Sequence, residues 1–279
     1  MKNTFLTVCT TDKYLEGVLV LNESLKRTKS NYELTVLITK NTSLELENML
    51  KNMKIRVIRL NREVNIPDEI IENNKDKGFS HWNNTLEKLF MFELDEFDKI
   101  VYLDSDMMVL ENIDELFERP HMSAVVAGSL YPGNEQWVKL NSGCMVIKPQ
   151  KGLLDEFINI LPEVVNQREY FGDQDVLQVY YSDWEKNNML KLDEKYNVFY
   201  GYIEYYVRNL GYKINGKNNE NNIAIVHFIG ETKPWMDNKA QIRRQYLSLI
   251  RNRRYISLKV LIQYRNLLKL VNKQIVKCK

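Results

Sequence analysis

The chain has 279 residues, of which 44% are hydrophobic and 27% are charged. A chain of this length and composition buries a large core, and its composition excludes disordered, collagenous and disulfide-scaffold proteins. The net charge of +2 conceals an asymmetry, because residues 239–279 carry 12 of the 39 Lys and Arg side chains and no Asp or Glu. The remainder has 27 basic against 37 acidic side chains, which argues against a uniformly basic nucleic-acid-binding domain.

Apolar segments and cysteines bear on the location of the protein. No run of about 18 apolar residues predicts a transmembrane helix, and the start of the chain lacks the apolar core of a signal peptide. The three cysteines, Cys9, Cys144 and Cys278, are odd in number and far apart, so we expect reduced thiols. These features favour a cytoplasmic protein, with a peripheral position on the cytoplasmic face of a membrane as the alternative.

Strands and helices alternate along the first 60 residues. Strand formers are concentrated in residues 4–9, 34–39 and 55–60, and apolar residues recur at helical spacing in 14–25 and 44–53. This β-α-β-α-β order predicts an α/β protein with a mostly parallel central sheet flanked by helices.

The rest of the chain extends this architecture. Residues 61–83 are polar and predict a surface loop with at most one helical turn. Further helices are predicted at 85–94, 153–165 and 173–181, and further strands at 99–103, 107–110, 124–127, 143–147 and 223–228. Residues 239–277 contain no Pro or Gly and favour helix. We therefore expect a main domain at 1–238 and a basic amphipathic helical tail at 239–279.

Two acidic residues at the end of a predicted strand form the sharpest local signal. Asp104 and Asp106 follow an apolar run, and alternate residues of an extended chain point to one side. Paired carboxylates at the carboxyl end of a strand suit a hard divalent cation, and open α/β sheets bind ligands at that edge. A solvated acidic turn is the alternative. A phosphatase of the haloacid dehalogenase type is disfavoured, since Thr or Val is expected where this chain has Met108.

A second signal lies at the end of the strand at 223–228. His227 is a candidate metal ligand because neutral imidazole binds Mn²⁺ and similar ions, although an ordinary hydrogen-bonded histidine is the alternative. Gly230 allows the backbone to approach a ligand closely, and Lys233 supplies a point charge suited to phosphate.

Other polar residues are candidates for contacts with a sugar. The triplet Asn141-Ser142-Gly143 precedes a strand and is otherwise a simple turn. Asp173 and Gln174 open a helix, where an acid also complements the helix dipole. Lys88 is ordinary surface charge unless it reaches a phosphate. Walker A, GxGxxG, CxxC and HExxH motifs are absent from the sequence, so kinases, Rossmann dehydrogenases and zinc proteases lack their signatures.

Taken together, these motifs resemble the glycogenin-type retaining glycosyltransferases of glycosyltransferase family 8, from about residue 4 to residue 235. The resemblance rests on Thr10-Thr11-Asp12-Lys13-Tyr14, Lys88-Leu89, Tyr102-Leu103-Asp104-Ser105-Asp106, Asn112-Ile113-Asp114-Glu115-Leu116-Phe117, Asn141-Ser142-Gly143, Gly172-Asp173-Gln174 and His227-Phe228-Ile229-Gly230-Glu231-Thr232-Lys233-Pro234-Trp235. It implies a single GT-A domain with a Rossmann-like sheet. Tyr170 stands where the family often has Asp, which weakens the assignment of glucose as the donor sugar.

The resemblance also implies a site for a UDP-sugar. The residues implied to bind the nucleotide-sugar are Val8, Thr10, Thr11, Tyr14, Lys88, Asp104, Ser105, Asp106, Asn141, Ser142, Gly143, Asp173, Gln174, His227, Gly230 and Lys233. Among these, Asp104, Asp106 and His227 are implied to bind Mn²⁺, with Mg²⁺ as the alternative. Asp173 and Gln174 are implied to be catalytic. The implied reaction moves a hexose, with glucose favoured over galactose or GlcNAc, to a saccharide, lipid-linked glycan or protein.

Other functions remain open at this point. One is a catalytically silent UDP-sugar-binding or glycan-binding protein on a membrane. Another is a self-glucosylating primer, because glycogenin carries its modified Tyr in the region that corresponds to the tyrosine-rich residues 196–212, where aromatic packing or an acceptor platform is the alternative. The tail at 239–279 predicts either contact with an anionic membrane or a packed helical pair. We expect no nucleic-acid partner, and a homodimer is a further expectation.

Overall fold

The computed structural model describes residues 2–61, 68–76, 80–167, 171–216, 221–230 and 232–278. The strands in this part of the chain are β1 (Asn3–Cys9), β2 (Leu34–Ile38), β3 (Arg56–Arg59), β4 (Lys99–Leu103), β5 (Met107–Val109), β6 (Ser123–Val125), β7 (Asn141–Ile147), β8 (Lys191–Leu192), β9 (Val198–Phe199) and β10 (Ile225–His227). A seven-stranded sheet has the order β3-β2-β1-β4-β7-β6-β8, and a three-stranded sheet has the order β5-β10-β9.

Helices surround these sheets. The α-helices are α1 (Leu15–Arg27), α2 (Leu44–Asn52), α3 (Asp68–Asp76), α4 (Leu153–Asn159), α5 (Leu161–Gln167), α6 (Asp173–Tyr180), α7 (Ile203–Asn209), α8 (Lys239–Arg251) and α9 (Tyr255–Cys278). Short 3-10 helices are Asp12–Tyr14, Asp114–Glu118, Trp184–Lys186, Asn188–Leu190, Glu194–Tyr196 and Tyr200–Tyr202, and a longer one spans Ser80–Glu93.

The strand directions confirm the predicted α/β class. Strands β3, β2, β1 and β4 run parallel to one another. Strand β7 runs antiparallel to both β4 and β6, and β8 is parallel to β6. In the smaller sheet, β10 is antiparallel to β5 and parallel to β9. The carboxyl end of β4 and the start of β7 therefore lie at the same edge of the large sheet.

Each face of the large sheet packs against its own hydrophobic core. The neighbours Phe5 and Leu6 are both fully buried, yet they belong to different apolar clusters, as do Val101 and Tyr102. Successive residues of a strand point to opposite faces, which explains why the parallel strands are apolar at every position. One cluster includes α1, α9 and the smaller sheet, and the other includes α4 and α6.

The segment predicted as a loop, 61–83, differs from expectation in its described part. It contains α3, a helix of nine residues, which is longer than the single turn allowed by the sequence pattern. A long-range contact explains the difference: Asn74 is buried and exchanges two hydrogen bonds of 3.0 Å with the backbone of Phe171. Polar composition alone does not reveal such an anchor.

Three predicted helices also differ in detail. Residues 85–94 belong to the 3-10 helix Ser80–Glu93 rather than to an α-helix. Residues 153–165 divide into α4 and α5, and Pro162 at the second position of α5 lacks the N–H that a continuous helix would need. The tail divides at Arg253, whose φ of 55° is outside the helical region.

The tail forms a packed helical pair, as one of the two sequence-based alternatives predicted. Helix α9 buries an apolar face in the cluster that contains α1, made of Val260, Leu261, Tyr264, Leu267, Leu268 and Val271. On the same helix, Arg265 is only 6% exposed and forms a 2.6 Å ion pair with Asp237. Within the described residues, no helix combines the length and the apolar character needed to cross a membrane. The division at residue 238 stays a prediction.

Candidate active site

Strand pairing in the large sheet brings Asp104 beside the Asn141-Ser142-Gly143 triplet. Leu103, the last residue of β4, pairs with Cys144 on antiparallel β7. The backbone N–H of Asp104 then donates a 2.9 Å hydrogen bond to the carbonyl of Gly143. The sequence-predicted acidic pair therefore lies at the start of β7, next to three other predicted site residues.

The smaller sheet brings His227 to the same place from a distant part of the chain. His227 pairs with Met107 across the antiparallel strands β10 and β5. The N–H of Phe228 donates a 3.0 Å hydrogen bond to the carbonyl of Asp106. The two carboxylates and the imidazole consequently belong to one cluster, in which one ligand atom from each residue lies within 4.8 Å of the others.

Each carboxylate in this cluster directs one oxygen to a protein donor and the other to the imidazole. Oδ1 of Asp104 accepts a 2.6 Å hydrogen bond from the Tyr102 hydroxyl and lies 2.8 Å from Nζ of Lys88. Oδ2 of Asp106 lies 2.6 Å from Nζ of Lys233. The remaining oxygens face Nε2 of His227, at 3.7 Å for Asp104 Oδ2 and 3.0 Å for Asp106 Oδ1.

A chain of amide hydrogen bonds determines which nitrogen of His227 carries a proton. The backbone N–H of Ser142 donates to Oε1 of Gln174 at 3.1 Å, and that of Gly143 donates to Oδ1 of Asn141 at 3.0 Å. Because a backbone N–H can only donate, these two hydrogen bonds identify which side-chain atom of Gln174 and of Asn141 is the oxygen. Nδ2 of Asn197 then donates to Oδ1 of Asn141 at 2.8 Å, which leaves Oδ1 of Asn197 to accept from Nδ1 of His227 at 2.9 Å.

The Nε2 atom of His227 is therefore the nitrogen available to a metal. With Nδ1 protonated, Nε2 directs a lone pair toward carboxylate oxygens of Asp104 and Asp106, so three acceptors converge. A proton or a metal cation on Nε2 would provide the positive partner that these three acceptors lack. Metal-bound histidines commonly donate their second ring N–H to such an outer partner. The residues present thus fit a divalent cation bound by oxygen and nitrogen.

Gly143 leaves room for this cluster. A Cβ atom on Gly143 would lie 2.9 Å from Cε1 of His227 and 3.1 Å from Oδ2 of Asp104. Both distances are shorter than ordinary carbon contacts. The glycine in the predicted triplet is therefore required by the close approach of the strand to the imidazole and the carboxylate.

The local charges hold Asp106 in its ionised form. Burial raises the pKa of the Asp106 carboxyl, but positive charge on a His227 protonated at Nε2 and on Lys233 outweighs it, and the pKa lies below its ordinary value. The Lys233 ammonium is 7% exposed and also donates a 3.2 Å hydrogen bond to the carbonyl of Phe228. The ammonium of Lys233 lies at the carboxylate cluster. Its contact with a phosphate stays a prediction.

Lys88 is a largely buried cation between two acidic residues, with 14% of its side chain exposed, and so it is not ordinary surface charge. Its Nζ lies 2.8 Å from Oδ1 of Asp104 and 3.4 Å from Oδ2 of Asp173. Burial lowers the pKa of Lys88, but Asp104, Asp173 and the hydroxyl of Tyr102 outweigh it, so the pKa stands well above its usual value. This ammonium links the end of β4 to the start of α6.

A cavity of about 400 Å³, which we call the Tyr14 pocket, opens next to these residues. It is lined by Val8, Thr10, Thr11, Lys13, Tyr14, Thr85, Lys88, Tyr102, Asp104, Ser105 and Asp106. Trp235 supports its outer wall, since its ring contacts Tyr14 edge-to-face with centroids 6.0 Å apart and its Nε1 donates to the carbonyl of Lys13 at 2.9 Å. Eight of the sequence-predicted binding residues thus surround one cavity.

The other predicted residues lie at the border of this pocket or beyond it. Asn141, Ser142 and Gln174 are joined by the hydrogen bonds described above, and Asp173 reaches the pocket through Lys88. Gly230 is exposed and has a φ of 102°, which a residue with a side chain rarely adopts. The binding and catalytic roles assigned to individual residues stay predictions.

Sequence reasoning missed two residues that position the site. Asn197 is fully buried and orients His227, but a lone Asn in a tyrosine-rich segment carries no local pattern. Thr85 accepts a 3.1 Å hydrogen bond from the N–H of Asp173 and lines the Tyr14 pocket. In a 3-10 helix, residues three apart share a side, which places Thr85 and Lys88 together.

Solved structures define the class to which this fold belongs. A crystal structure of an active-site mutant of LgtC superposes with a TM-score of 0.56 at 16% identity, covering 88% of this chain and 95% of that chain. The glycosyltransferase GlyE of Streptococcus pneumoniae TIGR4 also gives a TM-score of 0.56, at 18% identity, covering 98% of this chain and 65% of that chain. The fold is that of the GT-A glycosyltransferases.

Sequence comparison identifies the family. The family model described as Glycosyl transferase family 8 matches residues 5–239, and the chain belongs to that family. Glycogenin-1 of Mus musculus is 31% identical over 240 residues, covering 83% of this chain and 65% of that protein. Glycogenin-1 of Oryctolagus cuniculus is 32% identical with the same coverage. The chain therefore spans 65% of the length of these relatives, and the predicted glycogenin-like resemblance is confirmed.

Proposed function

We propose that the protein is a Mn²⁺-dependent retaining hexosyltransferase that uses a UDP-sugar, with Mg²⁺ as the alternative cation. The observation that carries the proposal is the convergence of Asp104, Asp106 and His227 beside the Tyr14 pocket. A divalent cation bound by these three residues would supply positive charge to the diphosphate as negative charge develops on it.

The overall reaction is a substitution at the anomeric carbon. The bond from this carbon to the β-phosphate oxygen breaks and its electron pair goes to UDP. A bond to an acceptor hydroxyl oxygen forms with the configuration retained, and the hydroxyl proton is released to the departing phosphate. Because the anomeric carbon gains positive charge in the transition state, the carboxylate of Asp173 is proposed to stabilise it, with Gln174 beside the same carbon.

The substrates are proposed from the pocket and the family. Val8, Thr10, Thr11 and Tyr14 line the end of the Tyr14 pocket that we assign to uridine, with the Tyr14 ring as a stacking surface. Glucose is the favoured hexose, with galactose and GlcNAc as alternatives. The acceptor is a saccharide, a lipid-linked glycan or a protein.

The test removes the two carboxylates and measures donor chemistry. Wild-type protein is expected to hydrolyse at least one of UDP-glucose, UDP-galactose and UDP-GlcNAc when Mn²⁺ is added. Asp104→Ala with Asp106→Ala is expected to lose this hydrolysis and the Mn²⁺-dependent binding of UDP. Asp183→Ala, which removes an exposed acid that pairs with Lys186 and does not line the Tyr14 pocket, is the matched control.

The same assay separates the alternative functions. Mn²⁺-dependent UDP binding without hydrolysis of any of the three donors would favour a catalytically silent binding protein. A mass increase of the protein itself after incubation with UDP-glucose would favour a self-glucosylating primer. Undiminished hydrolysis by the double variant would contradict the metal assignment.

We also propose that the protein is cytoplasmic and that α8 contacts an anionic membrane surface. Leu247 and Ile250 are 57% and 48% exposed, and Arg243 and Arg251 lie on the same side of the helix by their spacing. Cations next to an anionic surface contribute about 1 kcal/mol each, and exposed apolar side chains insert at the interface.

Charge reversal tests this contact better than truncation, because α9 forms part of the hydrophobic core. Arg243→Glu, Arg244→Glu and Arg251→Glu together are expected to abolish flotation with phosphatidylglycerol vesicles at low salt. The matched control reverses three exposed lysines elsewhere, Lys26→Glu, Lys29→Glu and Lys54→Glu. Equal flotation of both triple variants would contradict the assignment to α8.

A further inference from the structure

A second cavity, of about 380 Å³, adjoins the site and shares no lining residue with the Tyr14 pocket. We call it the Trp137 cavity. Asn141 and Gln174, which belong to the hydrogen-bonded network of the candidate active site, also line this cavity. Gln178 lies one helical turn after Gln174 on α6 and faces the same space. The cavity therefore reaches the position assigned to the reacting carbon.

Trp137 presents a partly exposed indole ring to this cavity. The ring is packed on Gly128, where a Cβ atom would lie 2.9 Å from Cζ3 of Trp137 and 3.2 Å from Cε2 of Phe199. The φ of 84° at Gly128 likewise requires glycine. The side chain of Trp137 remains 40% exposed, so the ring is supported from beneath while another part is open to a ligand.

A buried carboxylate holds the loop that carries this ring. Glu194 accepts hydrogen bonds from the N–H of Gly128 at 3.1 Å, from the N–H of Leu130 at 2.9 Å and from the hydroxyl of Ser129. Trp137 is further tied to its own loop by a 2.8 Å hydrogen bond from its N–H to the carbonyl of Asn134. These contacts make the Trp137 cavity preformed, which reduces the entropy cost of binding.

The chemistry of the lining suits a sugar ring. An aromatic face accommodates the apolar C–H side of a pyranose, and carboxamides pair with hydroxyl groups at its edge. Nε2 of Gln178 donates a 2.8 Å hydrogen bond to the carbonyl of Leu140, which directs its oxygen as an acceptor for a hydroxyl. Gln136 adds a second, exposed carboxamide. A lipid chain would offer the side-chain oxygen of Gln178 no hydrogen-bond donor.

We propose that the Trp137 cavity is the acceptor subsite and that the acceptor is a saccharide whose terminal pyranose lies on Trp137. The inference rests on the proposed hexosyltransferase function and narrows its acceptor class. The acceptor hydroxyl then approaches the anomeric carbon past Asn141 and Gln174, on the face from which UDP departs, as retention of configuration requires.

The experiment separates acceptor use from donor chemistry. The 279-residue protein with Mn²⁺ is assayed with UDP-glucose, UDP-galactose and UDP-GlcNAc, first without an added acceptor and then with maltose, lactose, cellobiose or chitobiose as acceptor probes. At least one disaccharide is expected to be glycosylated. Trp137→Ala is expected to raise the KM for that disaccharide by about tenfold or more, while hydrolysis without acceptor stays within about twofold of wild type.

Two further variants complete the test. Trp137→Phe keeps an aromatic ring and is expected to restore most of the acceptor affinity. Tyr255→Ala removes another exposed aromatic side chain, 56% exposed on α9, and is expected to change neither reaction. The proposal is overturned if donor hydrolysis occurs and no disaccharide is glycosylated, or if Trp137→Ala leaves the acceptor KM unchanged or lowers both reactions equally. Absence of donor hydrolysis in wild type would instead contradict the hexosyltransferase function itself, and the acceptor subsite with it.

Discussion

Asn197 provides the most direct test of how the protein prepares His227 for a metal. Replacing it by Leu removes the acceptor of Nδ1 of His227 and the donor to Oδ1 of Asn141 in a fully buried position. Asn141 keeps the N–H of Gly143 as a partner, so the unsatisfied group is the imidazole N–H. The tautomer with the proton on Nε2 then becomes favourable, and that proton occupies the place of the cation.

The expected loss follows from the hydrogen bond that is removed. A buried donor without a partner costs about 1–3 kcal/mol, and loss of an outer hydrogen-bond partner typically weakens metal binding by about 10–100-fold. These ranges agree, because a tenfold change corresponds to about 1.4 kcal/mol. We therefore expect Asn197→Leu to raise the Kd for Mn²⁺ by about 10–100-fold. Titration with Mn²⁺, followed by electron paramagnetic resonance of the free ion, measures this without any turnover.

Two other variants show whether the effect is specific. Asn197→Asp retains an acceptor for Nδ1 of His227 but cannot donate to Asn141, so it is expected to bind Mn²⁺ more tightly than Asn197→Leu. Asn222→Leu is the matched control, since Asn222 is 2% exposed and donates two hydrogen bonds away from the cluster. A Kd for Mn²⁺ within about twofold of wild type in Asn197→Leu would refute the role of this tautomer in metal binding.

Two further predictions concern packing at the site and in the tail. Gly143→Ala is expected to weaken Mn²⁺-dependent UDP binding, measured by calorimetry, because the added Cβ would lie 2.9 Å from Cε1 of His227; unchanged binding would contradict this close packing. Arg265→Met is expected to lower the free energy of unfolding by about 3–5 kcal/mol, measured by urea denaturation, because it leaves the largely buried Asp237 without its cation. The exposed pair of Arg27 with Glu23 is the control, and Arg27→Met is expected to cost less than about 0.5 kcal/mol.

Local sequence patterns were sufficient to predict a buried strand where its burial is visible in a run of neighbouring apolar residues. The strand at Lys99–Leu103 is apolar at four consecutive positions because both faces of the parallel sheet are covered, and that run also placed Asp104 at its end. Local patterns left Lys88 open between ordinary surface charge and contact with a phosphate, and only the family resemblance placed it among the binding residues. Its burial depends on Asp104 and Asp173, which come from two other elements, and no pattern near residue 88 encodes that arrangement.

Asn197 was missed because its role depends on contacts between distant parts of the chain. Asn197 is recognisable only after β9 and β10 pair and bring its amide between Asn141 and His227. Through these amides, Gln174 at the proposed sugar end is joined to the proposed metal ligand by an unbroken series of hydrogen bonds. A change in the orientation of Gln174 on binding a sugar would therefore alter the partners of Asn141 and, through Asn197, the ring of His227. Metal and sugar binding at this site are thus expected to depend on one another, because the same four side chains must be correctly oriented for both.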